Sequence, residues 1–167
     1  SPDEALVQTD IVINEVMTRN KTTLVDDDGA YSDWIELTNI GRDPVNLNGW
    51  MLMGTSDPST AYIFASEFIA PGEHILIFAS GHSVNKPGYV RHAPFKMSAS
   101  GDTLTLYNNL GHIVNALTVP ALSADQSYAR ADDGSYSVST MATPGQDNAV
   151  FVENSAPTSP SPLRLSE

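Results

Sequence analysis

The 167-residue sequence contains no cysteine, and this absence excludes several kinds of site. A chain without thiols has no disulfide framework, no thiolate metal site and no cysteine nucleophile. The sequence also lacks the run of eighteen or more apolar residues that a membrane-spanning helix needs, so membrane insertion is not expected. Folding must therefore depend on a hydrophobic core, and a single domain of this size can bury roughly 70% of the surface of the unfolded chain.

Positive charge is scarce. Eight Lys and Arg residues stand against 20 Asp and Glu residues, which gives a formal net charge of −12. The basic residues are scattered from Arg19 to Arg164 and form no stripe along the sequence. Because an acidic surface repels phosphate backbones, nucleic acid is not an expected partner. Solubility is sufficient to explain the acidity itself.

Sustained helical periodicity is also missing, and short apolar runs alternate with turn residues from Ile11 to about Val119. This pattern predicts an all-β sandwich. The predicted strands are residues 11–17, 33–39, 45–53, 61–64, 74–79, 103–107 and 113–119, with shorter strands at 127–130 and 136–139.

The two tryptophans are placed by the alternation of apolar residues. Within 45–53 the apolar parity shifts across Gly49, which predicts a β-bulge at that glycine and places Trp50 in the core. Trp34 alternates with Ile35, so it is predicted on the face opposite the main core. There it must be covered by a loop or exposed for a partner.

Turn residues and a change of composition set the predicted domain boundaries. Residues 1–10 form an N-terminal flank, 11–148 form one β-sandwich domain, and 149–167 form a linker rich in proline and serine. The last five residues resemble the start of the domain, so a further unit after the linker is an alternative. The sequence starts without Met or a signal-peptide apolar segment, which suggests an excised segment with its export signal upstream.

Six motifs in a fixed order resemble the bacterial lamin-tail domain family. They are INEVM at 13–17, DGAYSDWIELTN at 28–39, VNLNGW at 45–50, IAPGE at 69–73 leading into LIFASG at 76–81, FKMSASGD at 95–102 leading into TLY at 105–107, and ATPG at 142–145. Together they cover about residues 11–148. The resemblance implies an immunoglobulin-like β-sandwich of two packed antiparallel sheets, without catalytic residues, in a secreted or surface-attached bacterial protein.

The expected function follows from that resemblance. We expect a non-catalytic interaction or spacer module of a larger exported or cell-surface bacterial protein, which positions neighbouring domains or docks a protein or cell-wall polymer. The alternative is a carbohydrate-binding module of a secreted multidomain enzyme, because exposed aromatic rings can stack on sugars. The candidate rings are Trp34, Trp50, Tyr31 and Tyr62. Buried rings would favour the first function, and exposed coplanar rings the second.

An enzyme is the third class considered. The candidate nucleophiles and bases are Ser80, Ser98, Ser100, His82, His92 and His112. None of the serines lies in a Gly-x-Ser-x-Gly motif, and no His-Glu-x-x-His spacing marks a zinc site. Glu15 and Glu36 could pair for glycoside cleavage, although two acids on strands are commonplace.

Acidic residues cluster around Gly29. Calcium takes six to eight oxygen ligands, and carboxylates around a glycine turn can supply several of them. The candidate calcium ligands are therefore Asp26, Asp28 and Asp33. Their spacing does not fit the twelve-residue calcium loop. The simpler interpretation is a solvated turn capped by Asp side chains, with no cofactor.

Overall fold

The structure is a computed structural model, and it describes residues 10–55 and 60–148. Within these two ranges no helix is long and apolar enough to cross a membrane. Residues 1–9 and 149–167 hold nearly all of the predicted flank and the whole predicted linker. The domain boundaries and the suggested further unit therefore concern residues outside the described part of the chain.

Regular structure in the described residues consists of β-strands. In chain order these are β1 (Ile11–Met17), β2 (Asp33–Asn39), β3 (Val45–Asn46), β4 (Met51–Gly54), β5 (Tyr62–Ile63), β6 (Phe68–Ile69), β7 (His74–Ala79), β8 (Arg91–His92), β9 (Asp102–Tyr107), β10 (Ile113–Val119), β11 (Ser127–Arg130) and β12 (Tyr136–Ser139). The predicted all-β class is confirmed.

The strands form three sheets. The largest has the order β12-β11-β1-β2-β7-β8, the second β10-β9-β4-β5, and a two-stranded ribbon pairs β3 with β6. The β7–β8 pair is parallel, whereas the other named pairs are antiparallel. The prediction of two antiparallel sheets thus describes the two main layers. It omits the two-stranded ribbon and the parallel edge strand β8. The strands β3, β6 and β8 are each two residues long.

The main core contains side chains from both of these layers. Alternate residues of the longer strands point inward, as the two-residue period of a strand requires, and burial of their apolar area drives folding. The buried side chains include Ile11, Ile13, Ile35, Leu37, Ile75 and Ile77 from the large sheet and Leu52, Leu104, Leu106, Leu117 and Val119 from the smaller one.

The predicted bulge at Gly49 is wrong, because the chain turns there and changes sheet. β3 ends at Asn46 in the two-stranded ribbon, whereas β4 begins at Met51 in the four-stranded sheet. Gly49 has a φ of 81°, which glycine adopts without strain. Across the turn the N–H of Trp50 donates to the carbonyl of Leu47 at 2.9 Å. The parity shift in the sequence marks this crossing.

A bulge does occur in β1. The register of β1 against β2 shifts between Ile13 and Glu15. Because the shift adds one residue, Ile13 and Val16 both lie in the main core, whereas Met17 belongs to a second apolar cluster. Every residue of β1 is buried. The strand is therefore covered on both faces, and so are the polar groups that it carries.

Trp34 lies in that second cluster and is fully buried. Met17 and Phe78 pack with it, and Leu24 and Ala142 from the flanking loops pack against the group. Of the two situations predicted for Trp34, the loop-covered one is therefore correct.

We expect Trp50→Ala to lower the free energy of unfolding by about 3–5 kcal/mol, the usual cost of truncating a large aromatic side chain in a core. Trp50 is 7% exposed and belongs to the main core. Urea denaturation measures the change. Tyr89→Ala is the matched control, because Tyr89 is 64% exposed and its loss should cost about 0.5 kcal/mol or less. A loss below about 1 kcal/mol for Trp50→Ala would contradict its place in the core.

Candidate functional site

Asp26 is the centre of the acidic loop before β2. One carboxylate oxygen accepts the N–H groups of Asp28 at 2.8 Å and Ala30 at 3.0 Å. The other accepts the hydroxyl of Ser32 at 2.7 Å. Burial opposes the charged form, but these hydrogen bonds outweigh it and lower the pKa of Asp26. The carboxylate therefore caps the loop from within.

The three predicted calcium ligands do not all meet. One oxygen from each of Asp26, Asp27 and Asp28 lies within 4.8 Å of the others. Asp33 belongs to no such group among the described residues, and its Oδ2 accepts the N–H of Met97 at 3.0 Å. The structure thus groups two of the predicted ligands and holds the third elsewhere. The calcium site stays a prediction.

Asp33 has an unusual environment of its own. Burial raises its pKa from an ordinary 3.8 to about 6, against the opposing effects of the Met97 N–H and the Lys96 ammonium group. The residue lines an open pocket of about 300 Å³, together with Tyr31, Ser80 and Lys96. A carboxyl group that titrates near neutrality therefore borders this pocket.

Two histidines stack beside the acidic loop. The ring centroids of His82 and His92 are 4.3 Å apart, and the planes meet at 26°. The Ser80 hydroxyl lies 2.7 Å from Nδ1 of His92 and 3.1 Å from Nδ1 of His82. On the opposite side, Nε2 of His92 is 2.6 Å from Asp27 Oδ1, and Nε2 of His82 is 3.5 Å from Asp28 Oδ2. We call these five residues the histidine–aspartate cluster.

The strand edge explains how the rings meet. His92 lies in β8, which pairs with β7, and its ring is 5.7 Å from that of Phe78. After β7 the chain turns at Gly81, whose φ of 93° favours glycine. Val84 then forms an antiparallel bridge with His92. This return brings the intervening His82 over the His92 ring.

The order Asp27–His92–Ser80 resembles a catalytic triad, but other parts of such a site are missing. The His92 side chain is 1% exposed, so a substrate has little access to its ring. The N–H of Gly81, which follows the serine, donates to the carbonyl of Ala93 at 3.1 Å and is not free to stabilise an oxyanion. The cluster therefore lacks what acyl transfer needs.

The other hydrolase candidates do not assemble. The hydroxyl groups of Ser98 and Ser100 lie 2.8 Å apart and bond to each other. His112 is exposed in the turn between β9 and β10. In the described part of the chain, no hydrogen bond joins either serine to His112.

Glu15 and Glu36 are directly opposite each other on β1 and β2, and both are 0% exposed. Burial raises the pKa of each carboxyl group, although hydrogen bonds to each partly offset this. Such enclosed groups are not accessible to a sugar ring. The paired carboxylates therefore have a structural environment and not that of a glycosidase.

The chain after β12 supplies several of the donors that these carboxylates need. The N–H of Thr143 lies 3.2 Å from both carboxylate oxygens of Glu15. The N–H of Gly145 donates to Glu36. We call residues 143–148 the strap. The ATPG motif thus places backbone donors against two buried acids, a role that its sequence alone does not reveal.

Asn148 fixes the end of the strap. Its amide nitrogen donates to the carbonyl of Asn14 at 2.9 Å and to that of Arg130 at 2.7 Å. Its oxygen accepts from the Asn14 side chain at 3.2 Å and from the Thr143 hydroxyl at 3.4 Å. Both hydrogens and both lone pairs of the amide are used.

Sequence comparison identifies the family. Residues 5–121 match the family model described as Lamin Tail Domain. This chain belongs to the lamin tail domain family. No curated protein matches it. The predicted resemblance to lamin tail domains is confirmed, and so is the immunoglobulin-like fold, because lamin tail domains are structural modules of that fold.

Three of the four aromatic rings considered for sugar stacking are buried in this lamin tail domain. Trp34 and Tyr62 are 0% exposed and Trp50 is 7% exposed, whereas Tyr31 is 51% exposed. Tyr62 packs edge-on against Phe64 with ring centroids 4.8 Å apart. The buried rings therefore favour a scaffold over a sugar-binding face.

We expect millimolar calcium to raise the melting temperature of this lamin tail domain no more than magnesium does. Protein donors already occupy both oxygens of Asp26, so either ion only screens a surface of net charge −12. Differential scanning calorimetry with each chloride salt measures the effect. A calcium-selective rise of several degrees that Asp28→Asn abolishes would establish the calcium site instead.

We expect stability to fall as the pH rises from 5 to 7. The raised pKa values of Asp33, Glu15 and Glu36 mean that the folded state binds more protons there than the unfolded state. The difference between 3.8 and about 6 at Asp33 corresponds to about 3 kcal/mol over the full range from below pH 3.8 to above pH 6, of which about 1.3 kcal/mol is lost between pH 5 and 7. Asp33→Asn should therefore flatten the urea-denaturation profile between pH 5 and 7.

Asp125→Asn provides a control of opposite sign. Two backbone N–H groups, from Thr22 and Lys21, hold the pKa of the Asp125 carboxyl well below its usual range, with help from two threonine hydroxyls. Its contribution to stability is present at neutral pH and is lost as the pH falls through that low pKa. The variant should thus be less stable than the parent at pH 7. If the stability of Asp33→Asn falls between pH 5 and 7 as steeply as that of the parent, the assignment of this pH dependence to Asp33 is refuted.

Proposed function

We propose that this lamin tail domain is a non-catalytic interaction and spacer module of a larger exported or cell-surface bacterial protein. In this role it positions neighbouring domains and docks a protein or a cell-wall polymer. The observation that supports the proposal most directly is the anchoring of Asn148, the last described residue, to the centre of the large sheet. A spacer has to fix the direction in which the chain leaves it.

The strap meets that requirement with three separate attachments. Thr143 and Gly145 donate to the paired carboxylates, and Asn148 bonds to β1 and to the end of β11. Hydrogen bonds to charged groups are about twice as strong as those between neutral groups. Release of the strap would remove hydrogen-bond donors from both buried acids, and unsatisfied buried polar groups lower the stability of the fold. The strap is therefore bound to the large sheet along its length.

The charge of the chain supports a restricted class of partner. With a net charge of −12, the surface repels polyanions and attracts basic protein surfaces over distances up to about a Debye length. A protein, or a wall polymer that is not strongly anionic, fits this field. The exported or cell-surface location is part of the same proposal, since the fold and the composition are compatible with it.

Carbohydrate binding is the second candidate, and one observation favours it. Tyr31 is 51% exposed and borders the open pocket of about 300 Å³ beside Asp33 and Lys96. A sugar ring could stack on the tyrosine while polar groups contact its hydroxyls. Binding on a glycan array that Tyr31→Ala abolishes would favour this function over the spacer.

Spin labels test whether the strap fixes the departing chain. The absence of cysteine allows clean labelling at Leu110→Cys, a 72% exposed position, and at Asp147→Cys, an exposed position of the strap. We expect a narrow distribution of label separations in double electron–electron resonance, and a broad one after Asn148→Ala. Gln146→Ala is the matched control, because Gln146 is exposed in the strap and its backbone N–H, which donates to Thr143, is retained. A parental distribution as broad as that of Asn148→Ala would refute the spacer role.

A further inference from the structure

We propose that the histidine–aspartate cluster binds a divalent transition-metal ion of the zinc class, with His82, His92 and Asp28 as ligands. One ligand atom from each of these three residues lies within 4.8 Å of the others. The proposal is independent of the spacer function. It also differs from the predicted calcium site, with which it shares only Asp28.

The donor types select the class of ion. Two imidazole nitrogens and a carboxylate oxygen form a set that suits zinc and its neighbours in the first transition row. Calcium and magnesium prefer oxygen ligands throughout. The net charge of −12 adds a general attraction for cations.

Ser80 orients both rings for this purpose. Its hydroxyl lies at Nδ1 of His92 and of His82, at 2.7 Å and 3.1 Å. An oxygen with two lone pairs can accept an N–H from each ring. In a metal complex, each imidazole would keep its proton on Nδ1 and present Nε2 to the acidic loop. A hydrogen-bonded partner on the opposite nitrogen is the usual companion of a metal-binding histidine.

Asp27 marks the position of the fourth ligand. Its Oδ1 is 2.6 Å from Nε2 of His92, where a proton now links the two atoms. A metal ion that replaces this proton would lie between the imidazole nitrogen and the carboxylate. Asp27 and Asp28 are adjacent in the loop, and both face the stacked rings.

The cluster needs only side-chain movement to close around an ion. Ligand atoms of a tetrahedral zinc site are separated by roughly 3.3 Å, given metal–ligand distances near 2.0–2.1 Å. Nε2 of His82 is already 3.5 Å from Asp28 Oδ2, and the three ligand atoms all lie within 4.8 Å of one another, so each pair needs to approach by about 1.5 Å at most. The side chains of His82 and Asp28 are 52% and 59% exposed and have room to rotate. The His92 side chain is 1% exposed and serves as the fixed ligand.

Isothermal titration of the untagged chain with zinc chloride tests the site. We expect saturable binding of one ion, weakened at least tenfold by His82→Ala and by Asp28→Asn. Ser80→Ala should weaken it about tenfold, as the loss of an orienting partner does. These side chains, unlike that of His92, are not fully buried, and circular dichroism confirms that each variant folds. His112→Ala, which removes an exposed histidine elsewhere, should change the affinity less than twofold.

Cobalt provides a spectroscopic readout of the same ligands. The cobalt-loaded chain should show the intense visible absorption of four-coordinate Co²⁺, and His82→Ala should abolish it. Equal zinc affinities in His82→Ala and His112→Ala would overturn the proposal. A rise in melting temperature with zinc no larger than that with magnesium would also overturn it.

Discussion

Two carboxylates buried side by side, Glu15 and Glu36, impose the constraint around which the outer face of the large sheet is organised. Like charges in a desolvated layer repel each other, and each also needs hydrogen-bond donors in place of water. β1 and β2 cannot provide these donors alone, because their backbone groups are used in the sheet. The strap and the Asn14 and Ser127 side chains supply them. The buried pair of carboxylates thus determines where the strap packs.

The second apolar cluster depends on the same arrangement. Trp34 lies on the outer face, and Ala142, just before the strap, packs against the group that it forms with Met17 and Phe78. Polar anchoring and apolar cover therefore lie next to each other on one surface. Without this cover, the outer face of the large sheet would be exposed. With it, β1 is buried on both faces.

Sequence patterns predicted the long strands because local alternation and burial agree there. The bounds of β1, β2, β7 and β10 match the prediction. β6 and β8 are two residues long and carry no periodic signal, since tertiary contacts define them. The Gly49 parity shift was detected but misassigned, because a bulge within one sheet and a crossing between two sheets produce the same alternation.

The histidine–aspartate cluster could not have been predicted by spacing. Its members come from the acidic loop, from the turn after β7 and from β8, and they meet only through the sheet order and the return of the chain at Gly81. By contrast, Asp26 could be predicted as a turn cap, because aspartate bonding to the N–H two residues on is a local motif. Contacts between residues that are close in the sequence can be predicted from it, whereas a cluster assembled from distant segments can be found only once the sheet order is known.

The bond between Asn148 and Asn14 has a geometric consequence for a multidomain protein. Asn14 is four residues from Asp10 along an extended strand, a distance of about 13 Å. The chain therefore enters and leaves this domain through neighbouring points on one sheet. Segments on either side would emerge close together, and the module would project from the main path as a side branch. The other end of the large sheet, where Met17 pairs with Trp34 beside the acidic loop, would then lie farther from the point where the chain enters.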